Sequence, residues 1–180
     1  MTEDSNAVRT DWSTVNPAEH VRRSAASYRV VKAMEDALGR DHSDLWHPHF
    51  APDLQWRGNT GCGVKTDYAR FIRNWVDPIH AAFADRTYTT ERFLADGDWA
   101  SCVGVLEATH VGTFMGIPAT GKRVKIPYMD FWHVVDGRIA DNPVFVDFAS
   151  VCLQLGRDVF AGDGWEAFDR GDREAPRPDG

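Results

Sequence analysis

Two side chains in the second half of the chain, His110 and Asp130, are of types that move protons in enzymes. The imidazole of a histidine titrates near neutrality and can take or give a proton. Asp130 stands among aromatic and apolar neighbours, so an inward-facing carboxylate there must be paired or have a raised pKa. If Asp130 orients the imidazole of His110, the pair can draw a proton from a carbon next to a carbonyl. Each also has a structural interpretation, His110 as a histidine bonded at the core edge and Asp130 as an acid bound to a backbone group or an arginine.

Metal and nucleotide sites have little support in the sequence. A proline separates His47 from His49, His42 is nearby and no matching carboxylate is evident, so we interpret this segment as a solvent-facing loop. The loop 58–63 is rich in glycine but lacks the Lys and Ser/Thr of a phosphate-binding loop. Three cysteines, an odd number placed far apart, predict reduced thiols rather than disulfides or a zinc site. We therefore expect neither a metal nor a cofactor.

The composition is that of a packed protein without affinity for nucleic acid. Of the 180 residues, 43% are hydrophobic and 12% aromatic, which is too rich in large apolar side chains for a disordered chain. Twenty Lys and Arg against 27 Asp and Glu leave a formal charge of −7 and no basic stripe for a phosphate backbone. The sequence shows neither a run of about 18 apolar residues nor the features of a signal peptide. We therefore expect a cytoplasmic protein that does not bind membranes.

Helices are predicted in the first half of the chain. Asn16 offers the N-cap of a helix that Gly39 would end, and apolar side chains recur between them at helical spacing. This pattern predicts an amphipathic helix laid over an apolar surface. A short helical segment is predicted within 41–52, and a third helix, capped at Asp67, extends to about Phe83.

Extended segments separated by turn residues predict the strands. They are 54–57, 87–94, 99–114, 124–135 and 138–146. A short helix, with Asp147 as its cap, follows and ends near Leu155. Helices followed by long antiparallel strands predict an α+β domain in which helices cover one face of a curved antiparallel sheet. We assign the domain to residues 16–156, between a flexible segment, 1–15, and a partly docked tail, 157–180.

Three segments carry a resemblance to a known family. They are Glu107–Arg123 (EATHVGTFMGIPATGKR), Met129–Ile139 (MDFWHVVDGRI) and Gln154–Gly156 (QLG). They resemble SnoaL-like polyketide cyclases of the nuclear-transport-factor-2-like (cystatin-like) superfamily, and the resemblance extends over roughly residues 18–156. It implies a cone-shaped curved sheet wrapped around the N-terminal helices, with a small hydrophobic molecule bound at the wide end. The outer sheet face, with Val103, Val105 and Val111, is expected to form a homodimer.

The resemblance also implies which side chains line the pocket, because strand side chains alternate between faces. They are Trp56, His110, Tyr128, Asp130, Trp132, Asn142 and Val144. In this interpretation His110 is the general acid or base and Asp130 orients it. Tyr128 and Asn142 hold substrate oxygens, and the other three side chains contact the substrate.

One position departs from the family pattern. Cyclases and epoxide hydrolases of this fold carry an essential aspartate where this chain has Val144. Two functions therefore stay open. The first is a cofactor-independent cyclase or isomerase that acts on a polyketide-like or other hydrophobic carbonyl compound by His/Asp proton transfer. The alternative is a protein of the same fold that binds a small hydrophobic ligand without turnover, and a structural dimer with a filled cavity is a third interpretation.

Overall fold

The computed structural model describes residues 15–38 and 45–174. The predicted flexible segment lies almost entirely outside the described residues, as do Gly39, His42 and the last six residues of the predicted tail. The domain limits stay predictions. No helix in the described ranges is long and apolar enough to cross a membrane.

The described ranges contain five α-helices. They are α1 (Pro17–Leu38), α2 (Tyr68–Phe71), α3 (Asp77–Ala82), α4 (Phe148–Gln154) and α5 (Glu166–Asp169). The Asn16 side chain accepts hydrogen bonds from the N–H groups of Ala18 at 3.1 Å and Glu19 at 3.3 Å, which confirms the predicted N-cap of α1. The Asp147 side chain likewise accepts from the N–H of Ser150 at 2.9 Å and caps α4.

The third predicted helix is broken into three parts. Asp67 caps it as expected, since its side chain accepts from the N–H of Arg70 at 2.7 Å. Between α2 and α3, however, Ile72–Val76 forms a π-helical turn. Pro78 lies just beyond this turn and has no N–H to donate to the carbonyl four residues before it, so the α-helical pattern cannot continue through it. The short helical segment predicted within 41–52 is a 3₁₀ turn at His47–His49.

Six strands form one sheet in the order β2-β1-β6-β5-β4-β3. They are β1 (Phe50–Gly58), β2 (Val64–Lys65), β3 (Phe83–Asp96), β4 (Trp99–His110), β5 (Arg123–Val135) and β6 (Arg138–Val146). β3 to β6 form the predicted antiparallel meander, whereas β1 pairs parallel with β6, so the sheet is mixed. Register shifts in the β3–β4 pairing add curvature to the sheet. The α+β fold class predicted from the sequence is confirmed.

The strand β4 is shorter than predicted. It ends at His110 and not at Phe114, because the N–H groups of Val111 and Gly112 both turn to the carbonyl of Ala82, at 2.8 and 3.1 Å. Its side chains alternate between buried and more accessible positions along the whole strand, as a sheet with one covered face requires.

The outer sheet face exposes apolar side chains. Val103 pairs with Met129, which pairs with Phe145, and these three side chains are 39%, 39% and 54% exposed. They form a continuous apolar row across three strands. The homodimer through this face stays a prediction.

Three residues of α1 fix the helix to the β3–β4 turn. Ser27 donates to the carbonyl of Gly97 at 2.8 Å, and the Ser24 hydroxyl accepts from the Gly97 N–H at 2.8 Å. Arg23 forms an ion pair with Asp98 at the same turn. The helix is therefore held across the concave face of the sheet, with Val31 and Met34 buried beneath it.

Replacing the N-cap of α1 tests how much this helix depends on its first turn. We expect Asn16→Ala to lower the free energy of unfolding by about 1 kcal/mol, because two N–H groups lose their side-chain acceptor. Asn16→Asp keeps an acceptor oxygen and should stay near wild type. Urea unfolding of the three proteins measures the difference, and equal stability of all three would contradict the capping role.

Candidate functional site

A cavity of about 740 Å³ lies between α1, the helical segment 68–82 and the concave face of the sheet. Its two sides differ in chemistry, because the strand order separates β1 from β3. On the β1 side, the rings of Trp56 and Trp75 have centroids 4.4 Å apart, and Trp75 stacks on Phe148 at 5.8 Å. We call these three side chains the aromatic wall.

The opposite side of the cavity is polar. Its side chains come from α1, β3 and β5, and we call them the polar wall: Glu35, Thr90, Tyr128 and Asp130. The cavity thus joins a surface suited to a flat apolar ring with a cluster of groups that can exchange protons.

Lys65 supports the aromatic wall from the neighbouring strand. It pairs with Trp56 in the β1–β2 ladder, its Nζ lies 4.8 Å from the centre of the Trp56 ring, and it donates to the carbonyl of Cys62. Burial lowers the pKa of this lysine. The contact is a cation–π interaction that fixes the plane of the indole.

The Asn142 side chain, on the adjacent strand, holds Asp130 in place. The carboxylate of Asp130 accepts a hydrogen bond from Nδ2 of Asn142 at 3.0 Å, and the same nitrogen donates to the carbonyl of Phe131 at 2.9 Å. Both partners are acceptors, so the amide nitrogen of Asn142 must face them. The two protons of this amide are thereby used, and Asn142 positions Asp130 rather than donating to a substrate oxygen as the sequence had predicted.

The environment of Asp130 changes its acidity. Burial raises the pKa of this carboxyl to about 7; the hydrogen bond from Asn142 opposes the rise and the nearby Glu35 adds to it. Part of the side-chain surface is nevertheless accessible, because it faces the cavity. Asp130 therefore combines contact with the cavity and a proton affinity close to neutrality, which is what a general base or acid needs.

The remaining groups of the polar wall lie around Glu35. Thr90 donates a hydrogen bond to Oε1 of Glu35 at 3.2 Å. The Tyr128 hydroxyl lies near Thr90, and the Cys102 thiol lies near Glu35. Burial raises the pKa values of Glu35, Tyr128 and Cys102, so the phenol and the thiol stay protonated and able to donate.

The Tyr128 ring packs directly over a glycine on the neighbouring strand, where any larger residue would clash with it. Gly104 pairs with it on β4, and a Cβ atom at Gly104 would stand 2.6 Å from the Tyr128 hydroxyl oxygen and 2.7 Å from the carbonyl of Thr89. The missing side chain leaves the space that the phenol occupies.

The structure separates the two residues that the sequence analysis had paired. His110 is the last residue of β4 and pairs with Phe83 on β3. Asp130, on β5, pairs with Cys102, which precedes His110 by eight residues on β4. At roughly 3.3 Å per residue this is about 26 Å along β4. The prediction that Asp130 orients His110 is therefore wrong, because a shared face does not imply proximity along the strand.

His110 is enclosed in the core. Its ring is 0% exposed and lies against the rings of Phe83 at 5.4 Å and Phe114 at 6.4 Å. Nδ1 is 3.0 Å from the hydroxyl of Thr120, while Nε2 has no hydrogen-bond partner in the described part of the chain. The cavity lining does not include this histidine.

The other predicted site residues meet around the cavity. They are Trp56, Tyr128, Asp130, Trp132, Asn142 and Val144. Their roles toward a substrate stay predictions, except that of Asn142, whose two amide protons are already used within the protein. The described residues include no cluster of His, Cys, Asp and Glu side chains suited to a metal ion. His47, which the sequence analysis considered as a metal ligand, packs its ring against that of Tyr68, with the centroids 5.1 Å apart.

Glu35 is a site residue that the sequence analysis missed, although the sequence carries a signal for it. It follows Val31 by four residues and precedes Leu38 by three, so it lies on the apolar stripe of α1. A carboxylate on a buried stripe is unusual enough to mark a site. Thr90 and Cys102 carry no such signal, because only the β3–β4 register brings them to Glu35.

Comparison with known proteins gives a consistent family assignment. The family model of SnoaL-like polyketide cyclases matches residues 28–155. The nogalonic acid methyl ester cyclase of Streptomyces nogalater is 27% identical over 137 residues, covering 76% of this chain and 98% of the relative. The aklanonic acid methyl ester cyclase of Streptomyces peucetius is 31% identical over 149 residues, covering 81% of this chain and 94% of the relative.

Solved structures share the fold at lower identity. A SnoaL-like protein from Jannaschia sp. CCS1 superposes with a TM-score of 0.66 at 17% identity, over 74% of this chain and 93% of the other. A nuclear-transport-factor-2-like protein from Burkholderia thailandensis gives 0.63 at 20% identity, over 73% and 98%. These likenesses place the chain in that fold.

The raised pKa of Asp130 makes a prediction about stability and pH. Between about pH 4, where a free aspartate ionises, and pH 7, the folded protein holds a proton that the unfolded chain has lost, so stability falls as pH rises. The fall should be of the order of 1 kcal/mol per pH unit across this window. Asp130→Asn removes the titrating group and should gain stability relative to wild type from pH 4 to 7, measured by urea unfolding.

The control for this pH experiment is Asp53→Asn, which makes the same chemical change at an exposed position of β1. Its difference from wild type should vary little with pH. If the Asp130→Asn difference is equally constant, the carboxyl of Asp130 does not titrate near neutrality.

Proposed function

The chain belongs to the SnoaL-like polyketide cyclase family, and from this premise we propose that it is a cofactor-independent enzyme that cyclises or isomerises a hydrophobic carbonyl compound by proton transfer at Asp130. The relatives named above are cyclases, which supports a cyclase-type function. The observation that carries the finer proposal is a carboxyl with a pKa of about 7 on the wall of a cavity lined by aromatic rings.

Asp130 acts as the base in this proposal. Near neutrality part of the population carries the carboxylate, which takes a proton from a carbon next to a carbonyl and gives an enolate. The phenol of Tyr128 stays protonated and lines the same wall, so it can donate a hydrogen bond to the oxygen on which negative charge develops.

The position of Asp130 accounts for the missing family acid. By the resemblance, Val144 stands at the position of the family aspartate, and Asp130 is its direct cross-strand partner. Side chains of such a pair start about 5 Å apart on the same face. A carboxyl on β5 therefore reaches the region of the cavity that the family aspartate serves from β6.

The aromatic wall supports a flat hydrophobic substrate. The rings of Trp56, Trp75 and Phe148 can stack against it while its reacting carbonyl faces the polar wall. The cavity volume of about 740 Å³ is within the roughly 300–1,000 Å³ of small-molecule sites.

A second candidate function is ligand binding without turnover. It is favoured by Val144, since this chain lacks the carboxyl that the resembling enzymes need. The two functions differ in one measurable result, because both predict affinity for a hydrophobic carbonyl compound and only the first predicts its conversion.

The test uses aklanonic acid methyl ester as a probe. We expect wild-type protein to convert it to a product of unchanged mass and altered chromatographic retention, since ring closure by aldol addition is an isomerisation. Asp130→Asn should lower kcat by about 100-fold or more while still quenching tryptophan fluorescence on binding. The control Asp53→Asn should keep wild-type kcat. Binding without conversion would favour the second function, and full activity of Asp130→Asn would remove Asp130 from the mechanism.

The position of His110 gives a separate expectation. His110→Ala should cost about 2–4 kcal/mol of stability, because it empties a space between the rings of Phe83 and Phe114. The folded variant should keep kcat close to wild type, because the ring does not line the cavity. Thermal unfolding and kcat below the transition temperature check the two halves of this prediction. A stable variant without turnover would return His110 to the catalytic role expected from sequence.

A further inference from the structure

A β-bulge near the start of β3 changes which of its side chains face the cavity. Residues 85 and 86 both stand opposite Ala108 of β4, so β3 carries one extra residue at this point. Side chains of a strand alternate between its two faces, and an extra residue reverses the order. Before the bulge Phe83 is buried, and after it Tyr88 and Thr90 line the cavity.

The bulge holds a strained backbone conformation in place. Asp85 has a φ of 51°, in the left-handed region that side chains other than glycine disfavour. Its carbonyl accepts a hydrogen bond from Nη1 of Arg123 at 2.6 Å, and its carboxylate accepts one from the Thr109 hydroxyl at 3.2 Å. Arg86 donates from Nη1 to the carbonyl of Phe83 at 2.6 Å. Strain that the surroundings fix in this way is typical of functional sites, and here its result is an arginine on the cavity lining.

Arg86 brings a permanent positive charge to a cavity that is otherwise rich in apolar side chains, such as Trp46 and Ile79. Attraction between opposite charges is stronger in a partly dry cavity than in water. A guanidinium has five N–H donors in a planar fork, and two of them in parallel match the two oxygens of a carboxylate. This position therefore suits an anionic group on a hydrophobic molecule.

The acidic side chains of the cavity leave this end of β3 positive. Glu35 is hydrogen-bonded to Thr90, which lies four residues beyond Arg86, or about 13 Å along the strand. Asp36 lies 2.7 Å from Lys32, so these two charges compensate each other. The cavity thus has a basic end on the first residues of β3 and an acidic region further along it.

Asp130 belongs to the acidic region. Thr87, next to Arg86, pairs with Glu107. Asp130 pairs with Cys102, five residues before Glu107 on β4. At roughly 3.3 Å per residue, the backbones of the arginine and the aspartate are about 17 Å apart along the sheet. An anion held by the arginine would therefore not oppose the negative charge that develops near the base.

We propose that Arg86 forms an anion subsite at one end of the cavity, and that the substrate is an elongated aromatic ketone with a carboxylate at the end remote from the carbon that Asp130 deprotonates. The inference rests on the proposed function for the reaction at Asp130, whereas binding of the carboxylate does not depend on turnover. The aromatic wall contacts the ring system between the two ends. The carboxylate thereby fixes which end of the substrate meets the base.

The test uses two probes of nearly the same shape and different charge. They are 6-acetyl-2-naphthoate, which carries a ketone at one end and a carboxylate at the other, and its neutral methyl ester. Isothermal titration calorimetry near neutral pH measures the dissociation constant of each. We expect wild-type protein to bind the acid about tenfold more tightly or better, because only the carboxylate forms charge-assisted hydrogen bonds with the guanidinium.

Variants of Arg86 assign this preference to its side chain. Arg86→Gln should weaken binding of the acid by about tenfold or more and leave the affinity for the ester within about threefold of wild type. Arg86→Lys keeps the charge and loses the planar fork, so it should retain part of the preference. The matched control is Arg92→Gln, which changes an exposed arginine of the same strand and should bind both probes like wild type.

Equal affinity of wild-type protein for the two probes overturns the subsite, and this comparison needs no variant to fold. A preference for the acid that persists in Arg86→Gln also overturns it. Failure of both probes to bind overturns it as well, because the cavity then does not accept an aromatic carboxylate.

Exchange of the acetyl protons in D₂O, followed by NMR in the same samples, tests the proposed function separately. Exchange that is lost in Asp130→Asn, together with equal affinity for both probes, leaves the proposed function and overturns the subsite. Preference for the acid without exchange in wild-type protein leaves the subsite and overturns proton transfer at Asp130.

Discussion

The packing of α1 across the concave face of the sheet is the constraint on which the rest of the site depends. Ser27 donates a hydrogen bond to the Gly97 carbonyl and Ser24 accepts one from the Gly97 N–H, which holds the helix in place, and the apolar side chains beneath the helix exclude water from the strands. Without this cover Asp130 would face solvent and its pKa would have no reason to rise. The same helix brings Glu35 into the cavity. One packing contact therefore both creates the cavity and sets the acidity of the groups inside it.

The fold was largely predictable from sequence because its signals are local. Caps, alternation and turn residues act within a few positions, and the bounds of β6 match the predicted strand 138–146. The candidate site was less predictable because it depends on register. Alternation shows which face His110 and Asp130 share, but the eight-residue offset along β4 decides that they do not meet. Glu35 was missed although its place on the apolar stripe of α1 is a local signal, because only the packing of α1 on the sheet shows that this stripe borders a cavity.

Several features of the site lower the stability of the folded protein. Buried carboxyls at Glu35 and Asp130 and a glycine at Gly104 each weaken a well-packed core in a different way. The rest of the cavity compensates with stacked rings and with the cation–π contact of Lys65 on Trp56. The polar wall is thus strained by desolvation, and the aromatic wall is the stable side.

The parallel pairing of β1 with β6 has a consequence for the order of folding during synthesis. The meander β3 to β6 can form through hairpins between strands that are neighbours in the chain. Gln55 of β1, in contrast, can pair only after Asp141 of the last strand has been synthesised. Trp56, the β1 residue of the aromatic wall, can therefore be ordered only after nearly the whole domain has left the ribosome. Asn142, which holds Asp130, lies on the same last strand, so the two walls of the cavity are completed at the same late stage of synthesis.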